Sequence, residues 1–552
     1  MRALARALAA WATATLLACV VVHRAFSLDV NTANPRAVVA SVWSSGQLVG
    51  QAVLGRWDDR DPRLDALLAS RPDSKLVLEG VAAEGPVLTR PEAAFAMSFV
   101  PGRDGIAATL GGRTEYVTPD ELLSKQAYDK GVSVSSLGLT TGVDVPLMLS
   151  LLAARLDTTA RDVLDNARLR RVRVVRRLPE PTRSVTPDTM TNDDVREGAI
   201  AAGRFLTRGV DADGRFRYLV DAPTNRTLPG YDWPRHAGAT YFLAQIAALS
   251  GDPAIAWATL RAASWLRDHA MVDCGGHRCI GDEARVDVGS TALAVIAFVE
   301  IARTQLDAGY GLIVPELTAF LRSQQRPDGE FMHEYDRNAQ QPIDVQLLYY
   351  SGEAALALSR ASSLSGDALD LEAARRAVAY LAGPAWSFLG SRYYFGEEHW
   401  TCQAMDDLWD RSPSPEALDF CLRWQAYGRK LQYGPGDTPY DADGAYGLGP
   451  VVTPRLTPVG SRAEAGIATL EAAKRAKAPE VDQTALERQM RRSLALLMRH
   501  QFRPGPVHLF ADPAAIEGAV PASEVDWQIR IDYAQHAGSA MVRWLSLNGG
   551  HP

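Results

Sequence analysis

The chain has 552 residues, too many for one ordinary hydrophobic core, so at least two folded units are expected. It is 47% hydrophobic and 22% charged, a globular composition that excludes general disorder. A formal net charge of -7 argues against a broad nucleic-acid surface, and no nucleic-acid partner is expected.

At the N-terminus, Arg2 and Arg6 precede an uncharged run over residues 7–22, the layout of a secretory signal or a short membrane anchor. The run is short for a membrane span. Ala25-Phe26-Ser27 offers a small-x-small cleavage site, and Leu16-Leu17-Ala18-Cys19 resembles a lipoprotein box. Residues 1–27 are therefore read as an export segment, cleaved or anchoring. That places the protein in the cell envelope or outside the cell, with the membrane as a partner only through this segment.

Residues 34–178 read as a small α/β or α+β domain. AVVASVWSSGQLVGQAVLG contains two β-rich runs around Ser44-Ser45-Gly46, and KLVLEGV, FAMSFV and IAATLGGRTEYV have the look of further strands. A helix is expected over 145–166, followed by a strand in RLRRVRVVRRL. The early strand pair and LVLEG resemble the AMMECR1 family, whose RGCIG signature is represented here by VGQAVLG; the resemblance serves as a hint of fold. Arg168, Arg170, Arg171, Arg173, Arg176 and Arg177 form the densest positive run, which suits a charge-protected edge strand or a polyanion-binding strip. Residues 179–192, rich in proline and threonine, read as a linker. Thr191 with Asp194 then caps the first helix of the C-terminal region.

Four cysteines remain beyond Cys19, an even number that in an exported chain favours disulfides. Cys274 pairs naturally with Cys279 across a short loop, and Cys402 with Cys421 across an antiparallel helix pair. A zinc site from Cys274, His277 and Cys279 is the alternative.

From residue 193 to 552 the pattern repeats: a helix-length segment, a loop and a second, more apolar helix, six times over. The second helices begin near His236, Gly289, Tyr349, His399, Arg462 and Gln535. First helices such as LEAARRAVAYLAG carry one charged face, whereas STALAVIAFVEIA has a single charge, as a helix surrounded by protein would. An inner ring of six helices within an outer ring of six is the arrangement that buries every apolar face. Three loops share one plan: FLTRGVDADGRF, FLRSQQRPDGEF and LMRHQFRPGP each lead through a turn and a β-like excursion into an inner helix that starts on small residues. The region resembles the six-hairpin glycosidase-like superfamily, the (α/α)6 toroids, and FLRSQQRPDGEF also resembles the repeats of prenyltransferases and squalene cyclases. The expected fold is thus multidomain, a small α/β (α+β) domain followed by an all-α (α/α)6 toroid.

In such a toroid the loops and inner-helix N-termini converge on one mouth, where free N–H groups face an acidic or hydroxyl-rich ligand. Polar and aromatic residues concentrate there. Asp232, Asp344, Glu398, Asp443 and Asp532 are the candidate acids and bases, with His236 and His536, which share a His-Ala-Gly setting. Tyr231, Trp233, Arg235, Tyr349, Tyr350, His399, Trp400, Arg462, Trp527, Arg530 and Tyr533 are candidate substrate contacts, because rings stack on sugar faces and charged groups bond hydroxyls or a uronate. Glu353 and Glu464 fall in first helical turns, where an acid simply complements the helix dipole. No metal and no cofactor are expected.

The residues thus suggest an exported carbohydrate-active protein working on a polysaccharide or oligosaccharide. A glycoside hydrolase, polysaccharide lyase or uronate epimerase would use this carboxylate and histidine chemistry. The alternatives are a non-catalytic glycan- or partner-binding envelope protein and a terpenoid-cyclase-like enzyme. The last would need the DxDD signature, from which Asp441-Ala-Asp443 departs.

Overall fold

The computed structural model describes residues 35–134, 139–178, 184–385, 399–438, 440–447, 452–503 and 507–549. The segment read as an export signal lies outside them. No described helix is long and apolar enough to cross a membrane.

Two compact units emerge, the first Met1–Pro181 with Val451–Thr453 and Gly505–Ala511, the second the remainder. The first unit is built on strands β1 (Val38–Ser44), β2 (Gln47–Leu54), β3 (Lys75–Gly85), β4 (Asp104–Leu110), β5 (Arg113–Val117) and, from the arginine-rich run, β6 (Arg168–Arg177). They form one sheet in the order β2-β1-β3-β6-β4-β5, every pairing antiparallel, so the domain is α+β. Ser45 and Gly46, both at positive φ, make the tight turn between β1 and β2.

Three expectations change here. FAMSFV is not a strand: Glu92–Ala96 is helical, and Phe95 and Phe99, both buried, lie four apart as one helical face requires. The long helix over 145–166 is two, Val145–Leu156 and Ala160–Asn166, broken where Asp157 turns left-handed. The arginine strand is not an edge, since β6 is paired on both sides. Its charge is absorbed internally: Arg173 donates to Asp104 at 2.6 Å, Arg171 lies 3.5 Å from the same carboxylate, and Arg176 reaches Asp120 at 2.7 Å. Asp120 also holds His508 at 2.8 Å. Burial and the charge of Asp120 push Glu79 above its ordinary range, with Arg176 pulling it back.

Among the described residues of the second unit, twelve helices form six pairs, outer before inner, with a one-turn helix Pro513–Ile516 outside the pairs. The outer helices are α6 (Asn192–Gly209), α8 (Pro253–Ala270), α10 (Val314–Ser323), α12 (Ala368–Ala382), α14 (Pro415–Leu431) and α16 (Glu480–His500). The inner helices are α7 (Trp233–Ser250), α9 (Val288–Arg303), α11 (Tyr350–Ser365), α13 (His399–Leu408), α15 (Thr457–Arg475) and α17 (Ile531–Leu547); α1–α5 are the helices of the first unit, beginning at Pro62, Glu92, Pro119, Val145 and Ala160. Each inner helix packs on the next and α17 returns to α7, closing the ring. Closure buries even the ends of the repeat, which is why an inner helix such as α9 tolerates almost no polar residue. Its charge, Glu300, is buried beside Arg360 at 3.6 Å.

A common device ties the pairs together. Gly214, Gly329 and Gly444 sit at φ +104, +103 and +102, and a Cβ on any of them would strike the backbone of Arg261, Arg376 or Arg492 on an outer helix. Only glycine permits that approach. The bridges Val210–Phe216, Gln325–Phe331 and Gln432–Tyr446 enclose the same three turns. The loop through Gly444 thus follows the plan of the first and third.

Both cysteine pairs are bonded, Cys274 to Cys279 and Cys402 to Cys421, which removes the thiolates a zinc site would have needed. The second bond joins α13 to α14 across a sequence separation of 19. Replacing both Cys402 and Cys421 by serine is expected to cost about 3 kcal/mol by loop entropy. Urea denaturation with and without reductant checks this: the variant should fall below the wild type without reductant and match it once both are reduced, and a variant as stable as the oxidised wild type would contradict it.

Candidate active site

The first turns of all six inner helices reach one cavity of about 690 Å³. Two small sheets decide which loops meet there. Leu219–Asp221 pairs with Gln528–Arg530, setting the loop before α7 beside the loop before α17. Arg285–Asp287 pairs with Glu334–Asp336, joining the loops before α9 and α11.

The first pairing assembles a charged wall. Asp232 caps α7 by accepting from the Arg235 N–H at 3.0 Å, and it also accepts from the Arg235 guanidinium and, at 3.0 Å, from the Tyr218 hydroxyl. Asp532 is clasped by Arg530 at 2.6 and 2.8 Å and approached by Arg235 at 3.4 Å. Both carboxylates are thereby engaged by guanidinium groups, which suits binding and positioning.

The second pairing places two acids without such a clasp. Asp287 caps α9 through Ser290, and burial raises its carboxyl despite those bonds. Glu353, on the first turn of α11, is pushed up to about 8 by burial and then by the charge of Asp287, with Arg235 offsetting part of the rise. At neutral pH it carries its proton.

The far wall is made of imidazoles. The ring centroids of His399 and His536 lie 5.4 Å apart, and Trp400 stands 4.7 Å from the first and 6.0 Å from the second. His536 Nδ1 donates to Glu464 at 2.7 Å. That bond sets the ring orientation and, in the neutral ring, leaves the lone pair on Nε2.

His399, Glu464 and His536 offer ligand atoms within 4.8 Å of one another, a donor set a divalent ion accepts. Neighbouring ligands of a tetrahedral zinc at about 2.0–2.1 Å stand roughly 3.3 Å apart. The 2.7 Å separation of His536 and Glu464 is instead that of a hydrogen bond.

Of the residues singled out from sequence, Asp232, Arg235, Tyr349, Tyr350, His399, Trp400, Arg530, Asp532, Tyr533 and His536 line this cavity. Tyr231 and Trp233 line an adjoining hollow. Five others lie elsewhere. His236 is fully buried; its Nε2 donates to the Ala262 carbonyl at 2.8 Å and its Nδ1 accepts from Tyr231 at 2.7 Å. Burial holds it down at about 4, so it stays neutral and structural. Asp344 is an exposed partner of Arg326, and Asp443 anchors its turn to Arg492 at 2.8 Å. Arg462 is buried over the Tyr446 ring, and Trp527 is buried with its indole donating to the Glu524 carbonyl at 2.9 Å. Glu398 lies outside the described residues.

Asp287 and Arg455 join the cavity without having been singled out, as does Gln535 in a new capacity. A signal existed for Asp287: it precedes GSTAL as Asp232 precedes WPRHAG, each at the cap of an inner helix. In the sequence, Glu353 and Glu464 belong to the polar set of the mouth, with a dipole role as the alternative; Glu353 is in a first turn, whereas Glu464 lies deeper in the helix Thr457–Arg475.

Fold and site together define a six-hairpin (α/α)6 toroid with a polar, aromatic pocket at the N-terminal mouth of its inner ring. No protein-family model matches the sequence, and a search of curated proteins finds no match. Among solved structures the chain is similar to cellobiose 2-epimerase from Bacillus thermoamylovorans, at 11% identity and a TM-score of 0.50 over 64% of this chain and 98% of that one. A D-mannose isomerase follows at 12% identity and a TM-score of 0.48, covering 64% and 97%, and an α-1,6-mannanase from Salegentibacter at 12% and 0.46, covering 65% and 100%. At such identities the likeness is one of fold.

Proposed function

We propose that the protein is a carbohydrate-active enzyme, an isomerase or epimerase that moves a carbon-bound proton of a sugar between His399 and His536. The observation that carries this reading is the imidazole pair on one wall of the cavity, with Glu464 orienting His536. Removing a proton from the carbon beside a carbonyl needs a base that works near neutrality and a second group to return the proton. One imidazole takes the proton from the ring-opened sugar and becomes charged. The other, already protonated, gives its own proton to the enediolate, at the same carbon on the face then presented to it, inverting the centre, or at the neighbouring carbon, moving the carbonyl, and exchange with solvent resets the two rings. The enediolate oxygens formed in between meet the guanidinium groups of Arg235 and Arg530, and Trp400 and Tyr349 supply ring surfaces for the sugar.

Glu353 favours a second reading, glycoside hydrolysis, because a carboxyl that keeps its proton at neutral pH is what a leaving-group oxygen requires. Incubating the protein with a panel of reducing sugars and polysaccharides in deuterated water separates the two. Deuterium on carbon supports proton transfer, new reducing ends support hydrolysis, and binding with neither signal would leave a glycan-binding protein. The leader-like N-terminus and the two disulfides support export.

Glu464→Gln is expected to lower kcat about 10- to 100-fold with KM little changed, because an amide can present its N–H group to Nδ1 and disturb the tautomer. Steady-state kinetics on whichever sugar exchanges its proton checks this; a change confined to KM would assign Glu464 to binding.

A further inference from the structure

A second hollow of about 540 Å³ adjoins the first and shares Asp232, Pro234 and Asp287 with it. These three residues form a saddle between two lobes of one trough. The second lobe carries no histidine pair and no protonated acid of its own, yet its walls are not neutral filler. Trp265 is half-buried and stacks on His269 at 3.7 Å, and Trp233 stands edge-on to Tyr231 at 5.8 Å. Arg215 covers the Tyr231 ring at 4.6 Å, while Arg285 is 67% exposed in its side chain and only 3.8 Å from Glu334 at its nearest. Asp282 and Glu283 add exposed carboxylates.

The wall is also braced. It continues directly from the hairpin Met271–Cys274 and His277–Ile280, which the Cys274–Cys279 bond closes. A bonded hairpin holds Gly281 to Arg285 in place without help from the ligand, which lowers the ordering cost of binding.

We infer that this lobe is a subsite for further sugar units, so that the substrate is a neutral oligosaccharide whose reacting end lies against the histidine wall. The inference rests on the proton-transfer reading for the identity of that end. Aromatic surfaces beside mixed donors and acceptors match a pyranose, with its apolar faces and hydroxyl rim. Both charge signs on one wall suit hydroxyl groups, which donate and accept, better than a uronate, which would meet Asp282 and Glu283.

The test uses the full chain with two probe series, glucose to cellotetraose and mannose to α-1,6-mannotetraose. Affinity is read by tryptophan fluorescence and turnover by carbon-bound deuterium. In at least one series the trimer should bind about tenfold tighter than the monomer, a difference one stacking contact with its hydrogen bonds supplies. Arg285→Ala and Trp265→Ala should each erase that gain while leaving the monosaccharide unaffected; the exposed Arg285 keeps the test valid if the tryptophan variant fails to fold. No gain with length in either series, or equal weakening of monomer and trimer, overturns the subsite. A gain in binding without deuterium exchange supports the subsite and sinks the proton-transfer reading instead. Exchange on monomers without any gain does the reverse.

Discussion

His536→Ala and His399→Gln are each expected to reduce carbon-bound deuterium exchange about 10³-fold, within the range a positioned general acid or base contributes. The double variant should be scarcely worse than either single one, because the two imidazoles act in one transfer and their effects do not add. His399 is 3% exposed, so glutamine is chosen to keep the space filled, and the melting temperature of each variant separates lost chemistry from lost structure. Retention of near wild-type exchange in either variant would remove that imidazole from the proton path. Polysaccharide hydrolysis by the wild type without any exchange, persisting in both variants, would shift the chemistry to Glu353.

Glu353→Gln should reveal a large pH-dependent change in stability. The carboxyl sits at about 8 in the folded protein against an ordinary 4.5. Below pH 4.5 it is protonated folded or unfolded and burial carries no ionisation penalty. Between 4.5 and 8 the unfolded chain releases the proton and the folded one keeps it, so the wild type loses stability steadily as pH rises and has lost the full amount above 8. Glutamine does not titrate. The variant should therefore match the wild type near pH 4 and exceed it above pH 8, by on the order of 5 kcal/mol at most. Urea denaturation of both proteins at pH 4, 7 and 9 measures the gap, and a gap that does not widen with pH would show that Glu353 titrates normally. The same variant discriminates mechanisms: hydrolysis through Glu353 would collapse, whereas proton transfer between imidazoles would persist.

Sequence periodicity revealed the ring because alternating amphipathic and apolar helices have few ways to bury themselves. Two of the six inner helices nevertheless start earlier than their patterns suggest, at Thr457 and Ile531 in place of the neighbourhood of Arg462 and Gln535. The first turn of α17 puts Asp532 and Tyr533 on the cavity and that of α15 puts Thr457 and Pro458 there, so neither turn reads as part of an apolar helix. The paired His-Ala-Gly motifs illustrate the limit of local reading. His236 and His536 occupy like positions in sequence, yet one is sealed between Tyr231 and Ala262 and the other opens on the cavity beside Glu464. The difference lies in neighbours contributed by other helices.

The arginine run makes the same point in the first unit. Its strand character was plain from alternating valines, but its position was not. Asp104 and Asp120, more than fifty residues away in sequence, turn a charge cluster into an interior strand. By itself, the sequence determined the helix pairs, the mixture of strands and helices in the first unit and the two disulfides, since these follow from hydrophobic period, turn chemistry and short spacing. Only the tertiary structure decided which acids are clasped by arginine, which keeps its proton and which histidines face each other. Charge state depends on burial and on the nearest opposite charge, and both are set by strand pairings between loops hundreds of residues apart.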